Sequence, residues 1–332
     1  MFTPKLIVRQ LGVLLLVLFF FPDEAFGQAD RKKEPFHEVT LFVMPSVSPL
    51  NWENPSILFS TIESCLLKSV FISNRYILGH LTIRISSPIL RQPIYLGMLS
   101  ANEKELINLV FKQKVGFGIL GVITKARFET EKELKQKLEA YTDRNKLAFM
   151  TYRINDTAMH LILNFYKQFT TKKNGKNAPS DYYGDTFWPR YQNEGAGSTS
   201  LGVALLDVAN VLPAEYEHWK MQVNIPMTII GGELNAHKKV DFSTIANVES
   251  WYKGKGKENV DYVNFHIYDP SVMYEWILKQ RNVSKPNQKS IMADGVPGLF
   301  IDCRGINVEA NEPLFIERPK PNYFIEHSYF NE

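Results

Sequence analysis

The chain has 332 residues, of which 45% are hydrophobic and 22% charged, with a formal net charge of +3. So small a surplus argues against a nucleic-acid partner, because neutralising a phosphate backbone takes a marked excess of lysine and arginine. The length suffices for one large domain or two small ones with ample core, and the composition is that of an ordinary globular protein.

The opening stretch MFTPKLIVRQLGVLLLVLFFFPDEAFGQAD sets Lys5 and Arg9 ahead of an apolar run from Leu11 to Phe21, followed by the small residues of Ala25-Phe26-Gly27. This is the pattern of a secretory signal peptide, with cleavage expected after Gly27 and a single domain expected over residues 28–332. The run is shorter than the roughly 20 apolar residues of a membrane span, so no stable span is expected after cleavage; an uncleaved anchor is the alternative. Loss of residues 1–27 removes Lys5, Arg9, Asp23 and Glu24, two charges of each sign, so the mature charge stays +3. The expected location is the bacterial periplasm or the medium. Cys65 and Cys303 would meet an oxidising compartment, as one long-range disulfide or as two separately buried thiols.

Downstream, Val39–Met44 reads as a strand and Pro55–Val70 as a helix with apolar residues at helical spacing. In ILGHLTIRIS the residues Ile77, Gly79, Leu81, Ile83 and Ile85 alternate with Leu78, His80, Thr82 and Arg84, so a strand is expected with His80 on the face opposite the isoleucines. IYLGML is a further short strand. Ser100-Ala101-Asn102-Glu103 and Thr130-Glu131-Lys132-Glu133 match capping boxes opening helices near 101–113 and 131–142. Between them VGFGILGVI reads as strand or turn. NKLAFMTYRI reads as a strand, and 156–169 as a helix with Met159, Ile162, Leu163 and Tyr166 in one stripe and His160 expected in the core.

TTKKNGKNAPSDYYGD lacks apolar period and reads as an exposed loop. It leads to NEGAGSTSLGVALLDVA, a glycine-flanked turn delivering Ser198 to an apolar helix that Pro213 should stop. Residues 220–332 read as mostly strand and loop, with one helix, VMYEWILKQ, after Asp269-Pro270. The expected class is α+β, a mixed or mainly antiparallel sheet packed against helices.

Two features carry chemistry when taken together: Gly79-His80 on a strand and Gly197-Ser198 at a helix start. A nucleophile at a helix N-terminus gains from the dipole and from unpaired N–H groups, here those of Thr199 and Ser200, that can hold an oxyanion. A strand histidine could serve as its base. Two bland readings stand beside this, Ser198 or Thr199 as a plain N-cap and His80 as an ordinary strand histidine. In this order, histidine strand first and nucleophile helix later, GHLTIRIS and GAGSTSLGVALLDVA resemble the circularly permuted branch of the NlpC-type papain-like superfamily, which includes relatives of lecithin:retinol acyltransferase. The resemblance spans about residues 70–215. It implies a papain-like core and thiol amidase, peptidase or acyltransferase activity on a cell-envelope peptide or lipid, with His80 as base. The family places cysteine where this chain has Ser198, so the resemblance also accommodates a pseudoenzyme, a non-catalytic binding protein using the same cleft.

The residue orienting His80 would come from Gln92 or Tyr95 on the following strand. Trp188-Pro189-Arg190-Tyr191 is a candidate cleft wall, with Arg190 as a fork for a carboxylate, or else a loop packed on the core. His218 and His266 lack metal-ligand spacing, and Ile229-Ile230-Gly231-Gly232 lacks the helix that a phosphate loop requires, so neither a metal nor another cofactor is expected.

Overall fold

The computed structural model describes residues 36–69, 78–172 and 177–327, all within the unit Glu34–Glu332. The expected leader, residues 1–27, lies outside them. In chain order the elements are β1 (His37–Met44), α1 (Pro55–Ser69), β2 (His80–Ser86), β3 (Ile94–Leu96), β4 (Met98–Ser100) and α2 (Glu103–Asn108), which runs on as a π-helical turn, Leu109–Gln113. Then come β5 (Thr124–Phe128), α3 (Glu131–Asp143), β6 (Ala148–Ile154), α4 (Asp156–Phe169), β7 (Tyr182–Tyr183) and α5 (Ser198–Val208). The last third holds β8 (Lys220–Pro226), α6 (Phe242–Ala246), β9 (Tyr262–Tyr268), α7 (Pro270–Gln280), β10 (Gln288–Ala293), β11 (Val296–Asp302) and α8 (Tyr323–Glu326).

The class is α+β. A six-stranded sheet runs β10-β11-β6-β1-β2-β3, antiparallel throughout except where β11 lies parallel to β6. Smaller sheets join β4-β5-β7 and β8-β9. The central sheet therefore draws β1 and β11 from outside residues 70–215, and the strand-rich C-terminal portion is woven into the core. α4, α5 and α7 pack on the sheet.

The pleat decides which side chains meet which helix. Leu41 and Leu81 lie on the face that α5 covers: a β-carbon on Gly202 would stand 2.5 Å from Leu81 Cδ2, so the absence of one lets the helix seat there. One residue along, Met44 and His80 pair across β1 and β2 and point to the opposite face. That face is closed by α3, whose Leu134 and Tyr141 are buried, Tyr141 clustering with Met44 and Phe149.

Several local expectations shift. The cap of α2 is Asn102, whose side chain accepts from Glu105 N–H, not Ser100. The Thr130–Glu133 box is present as expected. VGFGILGVI contains a 3-10 turn, Phe117–Gly121. α5 ends at Val208, with Asn210 in the left-handed region (φ +53°), so the turn ends the helix before Pro213 is reached. His160 is exposed, its Nδ1 2.8 Å from the Asp156 carbonyl, because the buried stripe of α4 runs through Ala158, Met159, Leu161, Ile162 and Phe165 instead. Cys65 and Cys303 are separate buried thiols, each pushed up by burial. No helix among the described residues is long and apolar enough to cross a membrane.

Candidate functional site

Ser198 opens α5 but does not cap it. Gly197 occupies the cap position, and its N–H donates to the Ser200 hydroxyl at 3.0 Å, so Ser200 takes up the capping work. The first closing bond of the helix runs from Leu201 N–H to the Gly197 carbonyl, 3.1 Å. The N–H groups of Ser198, Thr199 and Ser200 precede it and lack acceptors within the helix. Ser198 is 6% and Thr199 7% exposed, and among the described residues the Ser198 hydroxyl has no hydrogen-bond partner.

The structure does not pair this hydroxyl with His80. Strand alternation sends Leu81 toward α5 and therefore sends His80, 1% exposed, to the α3 side of the sheet. There its Nε2 stands 2.9 Å from Glu129 Oε2, and Lys137 Nζ on α3 lies 2.5 Å from the other oxygen, Glu129 Oε1. Gly97 makes room for the group, since a β-carbon there would come within 2.5 Å of Glu129 Oε2 and 3.1 Å of His80 Nε2. Burial pushes the His80 imidazole below its ordinary pKa, and Glu129 pulls it partly back. At neutral pH this is a neutral imidazole beside a buried carboxylate that Lys137 compensates.

Neither expected orienting residue reaches His80. Gln92 is exposed in the turn before β3, and Tyr95 pairs with Arg84, four residues along β2 from His80. The sequence reading missed Glu129, which sits between the end of a short strand and a helix cap and looks there like a helix-start acid.

Arg190 and Tyr191 are also reassigned. Arg190 is 4% exposed and spends its guanidinium inside the molecule, on Asp207 Oδ2 (2.6 Å) and the carbonyls of Pro313 (2.6 Å) and Leu314 (3.0 Å). All three guanidinium nitrogens are thus engaged within the molecule. Tyr191 carries the Arg318 guanidinium over its ring at 4.3 Å, and Arg318 in turn grips Glu194. Both residues pin the 313–318 segment to the loop before α5.

What does adjoin the α5 start is Asp185. Its carboxylate fills the space a side chain on Gly197 would need, since a β-carbon there would stand within 2.4 Å of Asp185 Oδ1. It is half-buried, and among the described residues it has neither a hydrogen bond nor an ion pair. Crowding by the surrounding protein pushes it up to about 6. The Tyr183 hydroxyl lies within the field of both Asp185 and Glu129, and burial together with those charges raises it well above an ordinary phenol. Gly195 admits the Tyr182 carbonyl in the same way that Gly197 admits Asp185. Nothing in the YYGD string marked Asp185 beforehand, because the significance of the residue arises from where the β7 loop returns.

A second aligned set, Ser87 Oγ 2.8 Å from His37 Nδ1 with His37 Nε2 against Asp156, links β1, the loop after β2 and α4. Ser87 is 2% exposed and its hydroxyl also accepts from Ile89 N–H, which makes it a turn anchor. Among the described residues no three His, Cys, Asp or Glu side chains converge as a metal site. The shallow hollows along the outer face of α3 and beside the β10–β11 turn are lined by neither His80 nor Ser198. No protein-family model, curated protein or solved structure matches this chain.

Proposed function

We infer that the chain is an exported, catalytically silent relative of papain-like amidases, peptidases and acyltransferases, binding a cell-envelope peptide, glycan or lipid at the start of α5. One observation carries the reading: His80 faces Glu129 on one side of the sheet, while Ser198 begins a helix on the other with its hydroxyl unpartnered. A serine needs an aligned base far more than a thiol does, since its hydroxyl is not ionised near neutrality. The groups that remain at the α5 start, the Asp185 carboxylate, the Tyr183 phenol and the first-turn N–H groups, suit recognition.

The test is an active-serine probe. With a fluorophosphonate, no adduct is expected on Ser198 in the parent protein, no hydrolysis of peptide or ester panels, and no change in calorimetric binding of envelope peptides or lipids on Ser198→Ala. A stoichiometric adduct that disappears in Ser198→Ala would overturn the reading.

A hydrolase reading keeps one observation in its favour, the unengaged Asp185 carboxylate, pushed up to about 6 beside the residue that precedes Ser198. On that reading Asp185, not His80, takes the serine proton. The adduct then forms and is lost equally in Asp185→Asn and Ser198→Ala, whereas His80→Ala leaves it in place.

A further inference from the structure

We propose that the outer face of the β8–β9 ribbon is a binding surface for a neutral oligosaccharide, built on residues other than Ser198 and Asp185. In the antiparallel register Gln222 lies opposite His266 and Asn224 opposite Asn264, with Lys220–Tyr268 and Pro226–Tyr262 at the two ends, so these pairs share one face. The alternate pairs, Val223–Phe265 and Ile225–Val263, turn the other way into buried core. One side of the ribbon is therefore committed to packing, while the other presents amides, an imidazole and aromatic rings. Gln222 is exposed, and Asn224, Tyr262, Asn264 and His266 are half-buried.

The polar groups of this row are aligned but not fully engaged. Asn264 Nδ2 donates to Asn224 Oδ1 at 2.8 Å, and Gln222 Nε2 stands 3.5 Å from Asn264 Oδ1, a chain of amides that orients its members. Among the described residues Gln222 Oε1, Asn224 Nδ2 and both ring nitrogens of His266 have no hydrogen-bond partner. Burial first, then the charges of Lys220 and Arg318, hold the imidazole below its ordinary pKa, so at neutral pH it offers one donor and one acceptor. Tyr252 stacks on Tyr262 with centroids 4.9 Å apart, and its N–H donates to the Asn224 carbonyl at 2.9 Å, which fixes an aromatic platform beside the amides. At the other end Trp188 packs on Tyr268 with centroids 5.9 Å apart.

A polyol fits this arrangement better than a charged or an apolar ligand. Hydroxyls both donate and accept, and they match a row of amide oxygens, amide nitrogens and an imidazole. The C–H face of a sugar ring covers an aromatic ring, whose apolar body and polar tip suit a surface that is partly wet. Between Lys220 and Tyr262 the row carries no formal charge; Lys220 itself is engaged by Glu217, at 2.8 and 3.0 Å, and Arg318 by Glu194. A phosphate or carboxylate would find no free counter-charge there, and an acyl chain no continuous apolar strip. From Tyr268 to Tyr262 the face runs about 20 Å, at roughly 3.3 Å per residue, long enough for several linked rings. Amides oriented before the ligand arrives lower the entropic cost of binding it.

The experiment is titration calorimetry of the full chain with cellotetraose, mannotetraose and chitotetraose, in low and high salt. Millimolar or tighter binding to at least one of them is expected, and it should be insensitive to salt because no ion pair forms. His266→Phe, which keeps a ring but removes both nitrogens, should weaken binding about tenfold, and Gln222→Ala, at an exposed position that leaves the fold intact, about fivefold. Ser198→Ala should bind as the parent does. No heat from any of the three sugars at millimolar concentration, or an affinity that Gln222→Ala and His266→Phe both leave unchanged, overturns the proposal. So does binding that falls with salt, or tighter binding of tetragalacturonate than of every neutral chain, since either marks a charged ligand. Loss of sugar binding in Ser198→Ala would place the ligand at the start of α5 and overturn it as well.

Discussion

The Asp185 carboxylate occupies the volume that a side chain on Gly197 would fill, so the acid and the helix start are built around each other. Gly197 has ordinary extended backbone angles, φ −84° and ψ 167°, open to any residue. Gly197→Ala is therefore expected to cost about 1–3 kcal/mol through overpacking alone. Removing the carboxylate as well, in Gly197→Ala/Asp185→Ala, should restore most of that loss. Urea denaturation of the two single variants and the double reads the coupling directly; additive losses would mean that the two residues do not press on each other.

Asp185 also ties stability to pH. Its folded pKa, about 6, lies above its ordinary value of 3.8, so the folded protein holds this proton more tightly than the unfolded chain. The stability from the protonated acid is complete below 3.8, drains away as pH rises toward 6 and is gone above it. Asp185→Asn should thus melt higher than the parent at pH 7.5, with the gap closing by pH 4. A gap that persists unchanged at pH 4 would point to packing and not to titration.

His80 works in the reverse sense. Burial lowers its folded pKa beneath the ordinary 6.5, so the unfolded chain takes up this proton first, and stability falls as pH drops below 6.5. His80→Gln should remove that part of the acid limb. Lys137→Met should cost about 3 kcal/mol at pH 7, because it removes the cation that compensates the buried Glu129 carboxylate. Chemical denaturation across pH checks both.

Much of the fold was legible because local signals and tertiary outcome agree. α4 matches its apolar period, α3 its capping box, and α7 its proline after Asp269. The alternation of LTIRIS even foretold that His80 turns away from the isoleucines. What could not be read was which face the Ser198 helix would choose, a choice made by the fit of Gly202 against Leu81. The same holds for Glu129 and Asp185, whose neighbours come from distant strands and loops, and for β11, which reaches the sheet from the far end of the chain. Pairing in space depends on packing that no single segment encodes.

Arg190 separates a structural role from a ligand-binding one. Its guanidinium is shared among Asp207 and the carbonyls of Pro313 and Leu314, and the backbone beside it bonds the same segment, Ile316 N–H to the Arg190 carbonyl at 2.8 Å and Gln192 N–H to the Ile316 carbonyl at 3.1 Å. Arg190→Met leaves two carbonyls without their donor and the partly exposed Asp207 carboxylate without its cation, a loss on the order of 1–3 kcal/mol. Arg190→Lys should recover little, since one ammonium cannot span three acceptors placed for a planar fork. The 309–318 segment is then expected to come loose first, and limited proteolysis should cut there in both variants while the parent resists. If Arg190 were instead a fork kept for a ligand carboxylate, the variants would melt like the parent and resist protease, and only ligand affinity would fall.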